Sequence, residues 1–377
     1  MDSTRPQSTR TAPVPAHGLI APRPAPAVAH GLWAWLRDNL FGSLPSALAT
    51  VLLAACLIWL LPPAVDWAWS SAVFRADLDA CRAAQGACWG VVHEKFRIIV
   101  FGRYPQDALW RAALASALLL GLLLLSALRS CWRPWLLLPW SLLPPVYFVL
   151  MHGGVAGLSL VPTERWGGLP LTLLLASVSM ALAFPLGVLL ALGRRSSLPA
   201  LRALCGAYVE LVRGVPLISV LFMASYVLPL LLPAGVSLDV LLRVLLAIAL
   251  FAAAYLAEVL RGGLQALPAG QQEAALSLGL SYWQMQGRVL LPQALTLVLP
   301  GLVNNFISTF KDTSLVTIVS LYELTGGLGL ALDSDPDWQA YKTEGYLFIA
   351  LLYFVFCFGL SRYSRRLERM LAHARPA

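Results

Sequence analysis

Long apolar runs separated by short polar segments dominate this chain. Most runs extend over about 16 to 25 residues, the length that an α-helix needs to cross a hydrocarbon layer roughly 30 Å thick. Charge is missing from whole runs and not from one face of each run, which argues against a large soluble helical core. The pattern predicts an all-α integral membrane protein with about eight spanning helices, at residues 44–62, 109–128, 134–151, 169–192, 212–232, 240–260, 295–318 and 345–361.

Composition and charge favour a membrane protein over a nucleic-acid-binding one. Hydrophobic residues make up 59% of the chain and charged residues 12%, whereas about a quarter of a soluble domain is charged. The net charge is +8, but the arginines cluster at the ends of the apolar runs, where lipid head groups lie. Most Lys and Arg residues fall in the cytoplasm if both termini do. The positive-inside rule therefore predicts an N-in, C-in orientation within the lipid bilayer.

The same pattern divides the chain into segments. Residues 1–40 are rich in Pro, Ala, Ser and Thr, so we expect a disordered cytoplasmic tail there. The further predicted segments are an N-terminal extension at 41–165 with about three spans and an outer loop at 64–108, the remaining spans at 166–365, and a cytoplasmic C-terminal tail at 366–377. Cys81 and Cys88 share the outer loop, where a disulfide and two free thiols are both compatible with the sequence. No Cys/His pattern indicates a metal site.

A polar stretch at Gln271–Leu295, "QQEAALSLGLSYWQMQGRVLLPQAL", interrupts the apolar runs on the cytoplasmic side. Pro268 precedes it, so the sixth span should end there. Glu273 then falls in the first turn of a new helix, where the helix dipole favours a carboxylate. Gly279 is typical of a helix C-cap, and Pro292 indicates a bend into the seventh span.

Two short helices joined by a corner are predicted within this stretch. Ser281 is an N-cap candidate and Gln284, three residues later, completes a capping box. Ala274, Ala275 and Leu278 are expected on one face, and the spacing of Ala275 and Gly279 leaves one side almost bare of side chains. The stretch is then either an ordinary interfacial helix pair or a rigid projection to which a soluble partner can bind.

The residues from Glu273 to Pro292 resemble a known loop. "EAALSLGLSYWQMQGRVLLP" fits the EAA-x3-G-x9-(I/V)-x-L-P pattern of permease subunits of ABC importers, through Glu273, Ala274, Ala275, Gly279, Val289, Leu291 and Pro292. The segments "YVELVRGVPLISVLF" (208–222), "AAAYLAEVLRGGLQALPAGQQEAA" (252–275) and "FISTFKDTSLV" (306–316) resemble the polar amino acid permeases of that class, above all the general L-amino acid permeases. The resemblance covers about residues 165–370.

This resemblance implies a fold and a set of partners. It implies a C-terminal five-helix type I ABC importer permease core, with a cytoplasmic coupling loop at 263–294, in the bacterial inner membrane. Glu273, Ala274, Ala275, Gly279 and Pro292 would couple the permease to a dimer of ABC ATP-binding subunits. A second permease subunit and a periplasmic amino-acid-binding protein would complete the importer. The chain has no G-x-x-x-x-G-K-[ST] motif, so ATP and Mg are expected on the partner ATPase, with no cofactor on this chain.

Ionisable residues near the fifth and sixth spans need an explanation, since a charge at mid-membrane costs about 2.5 to 3.5 kcal/mol on translocon scales. Glu210 precedes Arg213 by one helical turn, and Glu258 precedes Arg261 likewise, so both could be local i,i+3 pairs. Alternatively they line the inner vestibule or brace the coupling loop. Gly214 and Pro216 either form a gate hinge or simply begin a helix. The candidate gate or vestibule residues are Glu210, Arg213, Gly214, Pro216, Glu258 and Arg261.

Polar residues in the seventh span are candidates for a substrate path. An amino acid is a zwitterion, so its path needs an acceptor for the ammonium and a donor for the carboxylate. Lys311 and Asp312 are adjacent and point about 100° apart on a helix, so they cannot pair face to face. The candidate path residues are Asn304, Ser308, Lys311, Asp312, Thr313 and Ser314. Polar bonding between helices and a wrongly placed span are the alternatives.

The sequence favours a transport subunit over an enzyme, because no nucleophile and base are suitably arranged. The hypothesis is a permease that moves polar L-amino acids into the cytoplasm by alternating access, driven by a separate ATPase. A permease for another small solute and an ion-coupled secondary transporter, with Lys311 and Asp312 handling the ion, are the alternatives. The second permease is either a copy or a relative of this chain, and the extended N-terminus favours a relative.

Overall fold

The structure is a computed structural model that describes residues 31–155, 157–233 and 235–372. The chain divides into two units, with the boundary between Ser70 and Ser71. The described part of the first unit contains the helices α1 Leu32–Leu40 and α2 Leu44–Val65, the latter followed by a π-helical turn at Asp66–Ser70. The predicted disorder of residues 1–40 is therefore wrong for α1, whose Leu and Trp residues recur at helical spacing as in interfacial helices. Residues 1–30 lie outside the described residues.

The described part of the second unit is largely helical. Its α-helices are α3 Leu78–Ala83, α4 Gly90–Phe101, α5 Leu109–Ala127, α6 Leu137–His152, α7 Gly168–Arg194, α8 Pro199–Gly214, α9 Leu217–Phe222, α10 Leu228–Leu231, α11 Val240–Gln265, α12 Ala269–Ser277, α13 Tyr282–Met285, α14 Leu291–Asp312, α15 Leu324–Asp333 and α16 Lys342–Ala372. Because α16 continues to Ala372, residues 366–372 of the predicted C-terminal tail are helical. The rest of that tail, 373–377, is outside the described residues.

Seven helices in the described ranges are long and apolar enough to cross a membrane. They are Leu44–Ser70, Gln106–Ala127, Pro134–His152, Gly168–Arg194, Val240–Gln265, Tyr282–Val319 and Pro336–Met370. These confirm seven of the predicted spans. The fifth predicted span, 212–232, is wrong as a single helix, because α8 and the helical segment Leu217–Leu231 meet at an angle of 104°. Pro216 disfavours a helical conformation at Val215, which is extended (φ −109°, ψ 139°), so the helix breaks there.

Helices α7 and α11 pack along each other at the centre of the second unit. Small residues allow a close approach, as in other membrane helix pairs. A Cβ on Gly187 would lie 2.8 Å from the Cβ of Leu256, and Ala253 and Ala257 of α11 are fully buried. This pair therefore forms a framework against which other helices of the second unit pack.

At one end of α7, Leu169 packs against the cluster that contains Cys81 and Cys88, and we call it the disulfide end. Cys81 and Cys88 are joined by a disulfide, so the alternative of two free thiols is wrong in this structure. Both cysteines are buried and share a hydrophobic cluster with Leu328 of α15. A Cβ on Gly327 of α15 would lie within 2.9 Å of α4 backbone carbonyl oxygens, so the two helices touch through their backbones.

Polar contacts add to this packing. Lys95 of α4 pairs with Asp335 at 2.6 Å, and Arg82 of α3 pairs with Asp337 at 2.7 Å. The predicted outer loop is thus a folded element that is attached to the segment between α15 and α16. The opposite end of α7, where α12 lies, is called the loop end.

Candidate functional site

The corner of the polar stretch is a fully formed Schellman motif at the end of α12. The amide of Leu280 donates to the carbonyl of Ala275 at 3.2 Å, and the amide of Gly279 donates to the carbonyl of Leu276 at 2.9 Å. Gly279 has φ +72°, in the left-handed region that favours glycine. The predicted glycine C-cap is confirmed, and the loop turns at a defined angle.

The second helix of the stretch begins with the predicted capping box. Ser281 Oγ accepts from the amide of Gln284 at 3.4 Å, and the side chain of Gln284 accepts from the amide of Ser281 at 3.0 Å. From there the helix continues through a π-helical turn at Gln286–Leu290 into α14. The helix is therefore continuous through Pro292, and the bend expected there stays a prediction. The wider π turn opens the helix just before the proline ring, so the ring is accommodated without a break.

Two expectations for α12 are corrected. The helix begins at Ala269, so Glu273 lies in its second turn, beyond the reach of the dipole effect of the first turn. Ala275 is 3% exposed and Leu278 is 80% exposed, so they do not share a face. Leu278 is already the C-cap residue, where the chain leaves the helical path.

The loop is attached to the bundle through a small apolar cluster. Ala275 of α12 and Met285 of α13 are buried against Leu192 of α7 and Leu264 of α11. The predicted coupling residues therefore divide into two groups. Ala275 faces inward and anchors the loop, whereas the others are exposed: Glu273, Ala274, Gly279 and Pro292. The result is a rigid projection whose base is fastened to the ends of two spanning helices.

A cluster of charged side chains lies at the same end. Glu258 Oε2 accepts from Arg194 at 2.6 Å and from Arg261 at 3.1 Å, and it lies 3.8 Å from Arg213. The predicted Glu258–Arg261 pair is confirmed. The predicted Glu210–Arg213 pair is replaced by a contact of Glu210 with Arg194 at 3.2 Å. Arg194 was missed, because only the tertiary fold brings the end of α7 beside α8 and α11.

The remaining gate candidates lie at the bend between α8 and α9. Gly214 is the last residue of α8, and Pro216 is the N-cap of α9. Past the bend, a π-helical turn at Met223–Val227 releases backbone carbonyls from regular helical bonding. The buried Arg243 of α11, which sequence reasoning missed, donates to the carbonyls of Ala224 and Ser225. These bonds fix the segment after the bend against α11.

The candidate path residues differ in their exposure and in their hydrogen bonds. Asn304 and Lys311 are exposed and Ser308 is half-buried, and they lie along one side of α14. Thr313 is buried, and its hydroxyl donates to the carbonyl of Phe310 at 2.7 Å, so it lies apart from this stripe. After Asp312 the α-helix tightens into a 3-10 helix at Thr313–Val319. Ser314 lies in this 3-10 helix and is half-buried, so we call Asn304, Ser308 and Lys311 the polar stripe.

A buried carboxylate, Glu323, lies between the last two candidate spans and was missed by sequence reasoning. Its side chain is the N-cap of α15, accepting from the amides of Thr325 at 2.7 Å and Gly326 at 3.2 Å. It also accepts from Tyr353 of α16 at 2.8 Å and from Thr172 of α7 at 3.1 Å. Burial raises the pKa of Glu323, and these hydrogen bonds oppose that rise. A single acid in the apolar stretch "IVSLYELTGGLGLAL" was the available signal.

Comparison with known proteins now decides the family. Residues 183–373, which include the loop, the charged cluster, the polar stripe and Glu323, match the family described as "Binding-protein-dependent transport system inner membrane component". This chain belongs to that family. It is a multi-pass inner-membrane transport component, as the motif in the loop indicated.

Two relatives are similar to this family member over nearly the whole of its chain. The "Inner membrane amino-acid ABC transporter permease protein YhdY" of Escherichia coli is 48% identical over 360 residues, covering 92% of this chain and 95% of the relative. The "Glutamate/glutamine/aspartate/asparagine transport system permease protein BztC" of Rhodobacter capsulatus is 36% identical over 419 residues, covering 94% and 96%. The N-terminal extension is therefore part of the similarity.

A solved structure also resembles this permease family member. It is titled "Crystal structure of an amino acid ABC transporter with histidines". The sequences are 30% identical, the match covers 53% of this chain and 90% of that chain, and the TM-score is 0.47.

Proposed function

We propose that this chain is the permease subunit of an ABC importer that moves polar L-amino acids into the cytoplasm by alternating access. The names of its relatives support the substrate class, since one is an amino-acid permease and the other a permease for glutamate, glutamine, aspartate and asparagine. Both relatives are similar over more than nine-tenths of this chain. The partners would be a dimer of ATP-binding subunits, a second permease and a periplasmic amino-acid-binding protein.

The observation that carries the proposal is the exposed, doubly capped loop at Gln271–Pro292. Its tip presents Glu273, Ala274 and Gly279, while Ala275 fastens its base to α7 and α11. A partner that grips the tip would therefore displace two spanning helices. ATP and Mg would be bound by that partner, which supplies the energy.

The charged cluster supports the same mechanism. Arg194, Glu210 and Glu258 come from the loop-end regions of α7, α8 and α11, and their contacts join these three helices. Movement of the loop would consequently reach α8 and the bend at Gly214–Pro216. The bend would then act as part of the gate.

The polar stripe on α14 would line the substrate path. Asn304 and Lys311 are not covered by the described helices of this chain, which suits a surface that faces a central path and a second permease. The ammonium of Lys311 would attract the substrate carboxylate, and Asp312 would attract the substrate ammonium. Thr313 is left out of this proposal because its side chain is buried and its hydroxyl is bonded to the backbone.

The test of this function is a bulky substitution at the loop tip. Glu273→Trp should abolish ATP-driven uptake of amino acids and release the ATP-binding subunit during purification, because the exposed carboxylate site is where the partner docks. The permease itself should remain folded in the membrane. Glu164→Trp is the matched control, since Glu164 is also exposed but lies near the start of α7 at the disulfide end. Uptake by this variant should stay near the wild-type rate.

Two outcomes would contradict the proposal. One is normal ATP-driven uptake with a retained ATPase in Glu273→Trp. The other is uptake by wild-type vesicles that lack ATP and an ATPase but carry an ion gradient, which would establish the ion-coupled alternative.

A further inference from the structure

The carboxylate of Glu323 joins several elements at the disulfide end. Its Oε1 accepts from the first amides of α15, and Thr317 of the 3-10 helix that follows α14 lies at 3.5 Å. Its Oε2 accepts from Thr172 of α7 and from Tyr353 of α16. One oxygen thus caps α15, and the other oxygen links two spanning helices that are distant in sequence.

Helix capping does not explain the second oxygen. An N-cap needs one side-chain acceptor, which Ser, Thr, Asp or Asn supplies equally well. The side chain of Glu323 is completely buried, and a buried carboxylate is costly unless donors surround it. Within the described part of the chain, no ion pair is formed by Glu323. Its charge is compensated by hydrogen-bond donors and by the N-terminal end of α15.

The position of this cluster relates it to the polar stripe. The backbone from Asp312 to Glu323 runs through the 3-10 helix and turns at Ser320, which has φ +64°. The amide of Gly168 at the start of α7 donates to the carbonyl of Tyr322 at 2.9 Å. The ring of Tyr353 also packs against Phe310 of α14, with ring centroids 5.3 Å apart. Glu323 and Tyr353 therefore determine where the stripe-bearing helix ends relative to α7 and α16.

We propose that Glu323 is a positioning residue for transport, acting through Oε2. Its bonds to Tyr353 and Thr172 hold the disulfide ends of α7, α14 and α16 in the arrangement that the transport cycle requires. Glu323 itself contacts no substrate. This inference rests on the proposed function, because it concerns the rate of that same transport cycle.

The decisive variant is Glu323→Gln, which can keep an oxygen at the capping position and places an NH2 group where Oε2 accepted. We expect uptake per folded complex to fall about tenfold, the size of effect typical for loss of a hydrogen bond to a buried charged group. The KM for the delivered amino acid should change much less than kcat, because no substrate contact is lost. Tyr353→Phe should lower uptake in the same direction, and the double variant should be no slower than Glu323→Gln, because both changes act on one shared bond: Gln removes its charged acceptor and Phe removes its donor.

Controls separate this role from a purely structural one. Glu344 is another buried carboxylate, bonded to the amide of Cys88 at 2.9 Å, so Glu344→Gln should keep wild-type uptake. Tyr346 is an exposed tyrosine of α16, so Tyr346→Phe should do the same. If Glu323→Gln does not fold, Tyr353→Phe gives the same measurement with one hydroxyl removed.

Specific results would overturn the inference. They are wild-type rates per folded complex in Glu323→Gln and Tyr353→Phe, losses confined to the amount of folded protein, or fully additive losses in the double variant. Failure of the wild-type complex to transport amino acids would instead refute the proposed function, so the two failures are distinguishable.

Discussion

At the loop end, Glu258 is surrounded by the guanidinium groups of Arg194, Arg213 and Arg261. Its side chain is 24% exposed, whereas that of Glu210, the second acid of the cluster, is 73% exposed. A partly buried carboxylate that bonds several cations contributes more than a solvated pair, because solvent screens the exposed charges. Glu258 is therefore the residue on which this cluster depends.

Removing the Glu258 charge should destabilise the permease. In Glu258→Gln the three arginines lose their shared partner and repel one another, so we expect a loss of about 1–3 kcal/mol. The measurement is the thermal unfolding midpoint of the purified protein. Glu210→Gln is the control and should shift the midpoint far less. Equal midpoints for the two variants would contradict this assignment.

Residue-level features were predictable where they depend on sequence neighbours. The Gly279 cap and the Ser281–Gln284 capping box were predicted because their bonds lie within a few residues of the chain. The burial of Ala275 and the contact of Arg194 with Glu210 were not predictable from the sequence, because they depend on how α7 packs against α8, α11 and α12. The candidate coupling and path roles remain predictions.

At the scale of elements, the folded segment 71–104 depends on contacts with the far end of the chain. Its disulfide closes a short loop, and Lys95 and Arg82 reach acidic residues before α16. The hydrogen bond from Lys95 lowers the pKa of Asp335. The attachment of this element should therefore depend on pH.

The direction of that pH dependence follows from the lowered pKa. A carboxyl group whose pKa is lower in the folded state stabilises the fold above its unfolded pKa, which is about 3.9 for Asp. The stabilisation is lost as the pH falls through the folded value. We expect the amides of segment 71–104 to lose protection against hydrogen exchange below about pH 4 in wild type.

The variant Asp335→Asn provides the control for this prediction. It should show increased exchange in the segment 71–104 already at neutral pH, with little further acid dependence from this pair. Identical pH profiles for wild type and Asp335→Asn would contradict the role of the Lys95–Asp335 pair.

The bent pair of helices shows how far element prediction extends. Gly214 and Pro216 indicated a kink, and the structure has one, but the apolar run across them was interpreted as one span. Hydrophobicity identifies residues that avoid water, whereas the angle between two helices depends on backbone restriction at Pro216 and on the bonds of Arg243 to the π turn.

At the scale of the whole molecule, the orientation in the membrane is predicted from charge alone. With both termini in the cytoplasm, the disulfide end faces the periplasm, where disulfides persist. The loop end then faces the cytoplasm, where an ATPase could reach Glu273.

Single-cysteine labelling measures this orientation. The free cysteines Cys56, Cys131, Cys205 and Cys357 would be replaced by Ser, with the disulfide retained. Glu164→Cys should react with a membrane-impermeant maleimide in intact spheroplasts, because Glu164 is exposed near the disulfide end. Gln272→Cys, exposed on α12, should react only after the membrane is opened. The reverse pattern would show that the predicted orientation is wrong.

The amino-acid sequence by itself determined the membrane class, most spanning helices, the caps of the loop at Gln271–Pro292 and the family resemblance. Each of these depends on hydrophobicity along the chain or on bonds between close neighbours. Only the tertiary structure decided that Arg194 joins Glu258, that segment 71–104 is fastened to α15 and α16, and that Glu323 bridges α7 to α16. Those contacts join residues far apart in sequence, and they exist because tertiary packing brings helix ends together.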